Sequence, residues 1–152
     1  MMISENLSLV EVTKSATAIK HGIANEPTLE HLQNLKELAE NVFQPIRNHF
    51  GMPIGISSGY RSEALNSLIK GSHRSQHCKG QAIDLDADIY GRVSNAEIFR
   101  YIREALPFDQ LIWEFGTENE PSWVHVSYST DYNRGEVLKA SKVYGRTTYT
   151  HI

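Results

Sequence analysis

The chain has 152 residues, 40% of them apolar, which suits a single buried core and argues against both a disordered polymer and a multidomain enzyme. Fifteen basic against eighteen acidic side chains leave a formal charge of −3, so no broad electrostatic footprint for a nucleic-acid backbone or an anionic membrane exists and any partner must be recognised locally. Cys78 is the only cysteine, which excludes an internal disulfide.

Residues 1–25 lack a basic start, a continuous apolar core and a small-residue cleavage site, and no run approaches the roughly 20 apolar residues that span a bilayer. The expectation is a monomer made in the cytoplasm without a signal peptide. One α+β domain over 1–152 is predicted, a small antiparallel sheet with helices packed on one side, divided into a helical part (1–52), a core (53–130) and a tail (131–152).

"SLVEVTKSATAIKHG" opens with a capping box, Ser8 to Glu11, and closes at Gly22, the end signals of a short helix. From Thr28 onward Leu29, Leu32, Leu35, Leu38, Ala39, Val42, Phe43 and Ile46 recur at steps of three and four, one apolar stripe on a long helix that stops near Gly51 and Pro53. "IGISSGYR" reads as a short strand entering a turn, "SEALNSLIKG" as a turn or two of helix, and "GSHRSQHCKG" as a loop. "QAIDLDA" is then a strand. Ser94 and Glu97 cap a helix that Pro107 terminates, "QLIWEF" and "WVHVSY" form an antiparallel hairpin across "GTENEPS", and "KVYGRTTYTHI" holds a final edge strand.

Asp84 stands between Ile83 and Leu85, where a buried carboxylate is costly unless something positive meets it. Zinc accepts imidazole nitrogen, carboxylate oxygen and thiolate sulfur in a tetrahedron, and a catalytic site uses three protein ligands and keeps the fourth position for water. His77 lies seven residues before Asp84 with Gly80 between them, so the chain can turn a loop histidine back onto the strand. His125 is flanked by Val124 and Val126, and period-two alternation sends its ring to the opposite face from theirs. Each residue has a plainer reading when taken alone: a hydrogen-bonded strand histidine, a turn-capping aspartate, an arginine in a surface ion pair. Cys78 reads as a small free thiol, His73 as a solvated loop residue, and Trp113 and Trp123 as core or cleft wall.

Ser75, His77, Gly80, Ala82 and Asp84 spell SxHxxGxAxD, and "SSGYRS" before them and "WVHVS" after them complete three segments in order over residues 57–128. In these segments the chain resembles the zinc D-alanyl-D-alanine carboxypeptidase family, which includes phage endolysins and shares its fold with the hedgehog signalling domain. The resemblance implies a hedgehog/DD-peptidase-like fold and one zinc ion per chain bound by His77, Asp84 and His125. It also implies that Arg61 and Ser75 contact the substrate, the stem or cross-bridge peptides of bacterial peptidoglycan.

The sequence departs from that pattern at Ser122, where many members carry an acid three positions before the last histidine. Serine cannot take a proton from water as a carboxylate does. Glu114, at the end of the strand expected to pair with that of His125, is the predicted general base, with Glu118 and Glu120 in the intervening turn as the alternatives. The functional expectation is a phage or prophage lysis enzyme that reaches the wall with the help of a separate membrane-disrupting partner. Two other classes remain: a non-catalytic zinc-binding module like the hedgehog branch, and a virion-associated component that processes the wall locally.

Overall fold

A computed structural model describes residues 1–152. The chain opens with a small antiparallel hairpin, β1 (Met2–Ser4) against β2 (Leu7–Ser8), that sends Ile3 and Leu7 into the core. Strands of two and three residues carry too little alternation to be seen in advance. The single helix expected next is two, α1 (Leu9–Thr13) and α2 (Ala16–His21), because Lys14 is extended and Ser15 acts as a second N-cap, accepting from the Ala18 N–H. The Ser8–Glu11 capping box is present in both directions.

The apolar stripe forms the expected long helix, but not an even one. It runs as α3 (Leu29–Leu38), a π turn (Ala39–Phe43) and α4 (Gln44–Phe50), ending at Gly51 in the left-handed conformation. Pro45 has no N–H to give to the preceding turn, and the wider π turn ahead of it absorbs that defect. There follow β3 (Ile56–Ser58), α5 (Glu63–Leu68), a 3-10 turn at Gln76–Lys79, β4 (Ala82–Leu85) and a second 3-10 turn at Ala87–Ile89. Next is α6 (Asn95–Ala105), with its Ser94–Glu97 capping box formed, and then β5 (Gln110–Glu114), β6 (Trp123–Ser127), β7 (Glu136–Val143) and β8 (Arg146–His151).

Six strands make the main sheet in the order β3-β4-β6-β5-β7-β8. All neighbours are antiparallel except β5 and β7, which are parallel, so the sheet is mixed rather than purely antiparallel. The cause is the crossover at 128–135. Buried Asp109 anchors it by accepting from the backbone N–H and the guanidinium of Arg134, while its own carbonyl accepts from the Glu136 N–H. Residues 136–151 are thus an integral hairpin of the sheet, closed by Tyr144 and Gly145, both at positive φ as a two-residue turn of this kind requires.

Alternation divides the sheet's two faces. Ile83, Leu85, Leu111, Trp113, Val124 and Val126 pack in one cluster with Leu35, Leu38, Val42 and Ile46 of the long helix and Ile98, Phe99 and Ile102 of α6. Each fully buried aliphatic side chain contributes roughly 1.5–3 kcal/mol, so this helix-covered face supplies the fold's stability. The other face carries only a small apolar group, Ile112, Leu138 and Ala140, and is free to hold polar chemistry. No helix is long and apolar enough to cross a membrane.

Candidate metal centre

His77 is held from both sides. Ser75 starts its 3-10 turn and accepts the His77 N–H at 3.3 Å, and Gly80 ends the turn at φ +72. A Cβ at residue 80 would run into the His31 carbonyl oxygen of α3, so glycine serves both the left-handed backbone and the close approach of the helix. The ring's Nδ1 lies 2.7 Å from the Gly59 carbonyl oxygen. A carbonyl only accepts, so Nδ1 carries the hydrogen and the lone pair on Nε2 is left to bind elsewhere. It faces Asp84 Oδ1, 3.4 Å away.

Asp84 and His125 are direct partners in the β4–β6 ladder, so their side chains rise from the same face. His125 Nδ1 approaches the same Asp84 oxygen at 3.1 Å. Three ligand atoms, one from each residue, lie within 4.8 Å of one another. Ligands about 2.0–2.1 Å from a tetrahedral zinc stand roughly 3.3 Å apart, and Asp84 Oδ1 stands 3.4 and 3.1 Å from the two ring nitrogens. The donor set of two imidazoles and a carboxylate fits zinc equally well; His125 Nε2, the ring's other nitrogen, is buried without a hydrogen-bond partner.

Asp84 is the negative centre of the cluster. Burial alone would raise the Asp84 carboxyl, but without metal the positive charges of the His77 and His125 rings when protonated, and the hydrogen bonds those rings then donate, outweigh it and hold the group well below the usual carboxylate range. Arg61 Nη2 adds a contact to Asp84 Oδ2 at 3.6 Å. That guanidinium is itself oriented: Nε donates to Ser58 Oγ and Nη1 to Oδ1 of buried Asn66, both at 3.2 Å. The Asn66 amide in turn donates to the Ser72 carbonyl at 2.8 Å, which ties the arginine to the start of the metal loop.

Glu114 is 7% exposed, at the end of β5. It pairs with Trp123, two residues before His125, while Ile112 pairs with His125 itself, so Glu114 shares the histidine's face. The Ser122 N–H donates to the Glu114 carbonyl at 2.9 Å. The backbone of residue 122, just before β6, is thus tied to the end of β5, one residue before the Trp123 that faces Glu114 in the ladder. Burial pushes the Glu114 carboxyl up to about 7; the His125 charge opposes this, the Asp84 charge adds to it, and Arg61 opposes it.

His77, Asp84, His125, Glu114, Arg61 and Ser75 line a single cleft of about 730 Å³. Glu118 and Glu120 do not line it: Glu118 borders a separate hollow with Lys139 and Lys142, and Glu120 accepts the Ala96 N–H at the start of α6. Asn66, the Gly59 carbonyl and Asp109 do their work unannounced by any local pattern. Gln76, next to the histidine, donates to Asp109 at 3.0 Å, linking the metal loop to the base of the C-terminal hairpin.

No curated protein matches this chain significantly. A family model described as Peptidase M15 matches residues 5–127, which takes in both histidines, Asp84, Arg61, Ser75 and Glu114. With a match over most of its length, the chain belongs to the M15 peptidase family.

Proposed function

We propose that the protein is a zinc metallopeptidase that hydrolyses peptide bonds in the stem or cross-bridge peptides of bacterial peptidoglycan, as a lytic enzyme of a phage or prophage. The observation that carries this reading is the meeting of His77 Nε2 and His125 Nδ1 at one oxygen of Asp84, in the same cleft as a buried glutamate. Family membership supports the peptide substrate. One zinc ion per chain, bound through His77, Asp84 and His125, would supply Lewis acidity that polarises a peptide carbonyl and makes water a nucleophile near neutral pH.

The proton work falls to Glu114. A carboxylate lining the same cleft as the three metal-ligand candidates can accept a proton from water and pass it to the leaving amine nitrogen, the two transfers general acid–base catalysis needs. Arg61 orients the peptide by holding a carboxylate or carbonyl oxygen, a task for which Ser58 and Asn66 already aim its planar fork. The Ser75 hydroxyl accepts from His77 yet keeps its own hydrogen to offer the substrate.

Metal analysis combined with hydrolysis of purified peptidoglycan tests the reading. The wild-type protein should hold about one zinc per chain, and His77→Ala and His125→Ala should lose both metal and cleavage. Glu114→Gln should keep the metal and lose turnover. Full activity in either histidine variant would overturn the site, and zinc retention with no hydrolysis by the wild type would favour a non-catalytic binding module. Mass spectrometry of the fragments released from defined muropeptides identifies the scissile bond, and recovery from virions rather than from lysing cells would mark a role in entry.

A further inference from the structure

The C-terminal hairpin supplies a wall of the cleft that the family match does not cover. Leu138, Thr147 and Tyr149 line the cleft, and all three lie beyond residue 127, where that match ends. The sheet register explains how an edge strand reaches the site. Glu114 pairs with Ala140, and Ala140 pairs with Tyr149, so the three side chains rise in a row from one face. Two strand spacings put the backbones of Glu114 and Tyr149 about 10 Å apart. Only the buried methyl group of Ala140 stands between them, which leaves the two long side chains to approach over it.

Tyr149 remains 54% exposed, open to the cleft. Its phenol hydroxyl, protonated at neutral pH, shares the cleft with Glu114 and Asp84. A donor is therefore available to an incoming acceptor. Its position is braced as well. Arg134, at the root of the hairpin, and Gln76 of the metal loop both donate to Oδ2 of Asp109, at 2.8 and 3.0 Å, so the two walls of the cleft share one anchor.

We propose that Tyr149 is a substrate-binding residue whose hydroxyl donates a hydrogen bond to a carbonyl or carboxylate oxygen of the bound peptide, across the cleft from Arg61. The inference rests on the proposed function, because the peptide is that reading's substrate. The test uses the zinc-loaded full chain carrying Glu114→Gln, which cannot turn substrate over, and titrates a purified muropeptide with free stem-peptide carboxylates in a calorimeter. Adding Tyr149→Phe, which keeps the ring and removes only the hydroxyl, should weaken binding about fivefold to tenfold, the worth of one hydrogen bond, with zinc content and melting temperature unchanged. Affinity within twofold of the Glu114→Gln parent, or a loss of affinity that follows a loss of zinc, would overturn the role of Tyr149 alone. Absence of any muropeptide binding by the parent would overturn the proposed function, and this inference with it.

Discussion

Replacing Glu114 by glutamine should stabilise the metal-free protein, and by an amount that depends on pH. Burial raises the carboxyl from an ordinary 4.5 to about 7, so between those values the folded state binds a proton that the unfolded state has released. Stability from this group is therefore fully present below pH 4.5 and is lost as pH rises through 7. A shift of about 2.5 units at about 1.4 kcal/mol each makes the loss about 3 kcal/mol by pH 8. Glutamine has the same shape and no proton to lose, so its advantage over the wild type should grow by that amount between pH 4 and pH 8. For a domain of this size the change corresponds to a gain in melting temperature of roughly 6–12 °C at pH 8 relative to pH 4. Urea or thermal unfolding of both proteins in a chelator, at half-unit pH steps, measures it. A stability difference that stays flat across this range would refute the claim that Glu114 is a buried, proton-holding carboxyl.

Three further outcomes follow from contacts described above. Arg61→Lys keeps the charge but loses the fork held by Ser58 and Asn66, and should raise KM for a muropeptide about tenfold while kcat changes little; a fall confined to kcat would place Arg61 in the chemical step instead. Gly80→Ala forces a side chain into the left-handed region and against the His31 carbonyl. It should cost about 2–4 kcal/mol in unfolding free energy and weaken zinc binding, and a variant with wild-type stability and zinc affinity would show that the close approach does not position His77. Asp109→Asn removes the charge that accepts from Arg134 and Gln76, and should lower stability by about 1–2 kcal/mol in denaturant titrations at low salt; an unchanged midpoint would mean that the crossover is held by its backbone bonds alone.

The readable parts of the sequence were those decided within a few residues. Val124 and Val126 around His125, and Ile83 and Leu85 around Asp84, announce which face each side chain takes, because alternation along a strand is a property of its own backbone. The capping boxes at Ser8 and Ser94 and the left-handed turn at Gly80 were legible for the same reason. Pro45 was in plain view, but the π turn it is accommodated by lay hidden in an otherwise regular apolar stripe.

Pairing between distant segments was a different matter. That β7 returns parallel to β5 depends on Asp109 holding the crossover, and that Tyr149 lines the cleft depends on β7 lying between it and Glu114. The sequence could show that Ser122 lacks a carboxylate, yet only the ladder reveals that Glu114 lies on the same sheet face as His125, through the pairs Glu114–Trp123 and Ile112–His125. Alternation, capping and turn chemistry are local energies, written in consecutive residues. Which strand lies beside which is settled by the summed burial of a whole sheet face and by a few long-range hydrogen bonds, and these take their values only in the assembled fold.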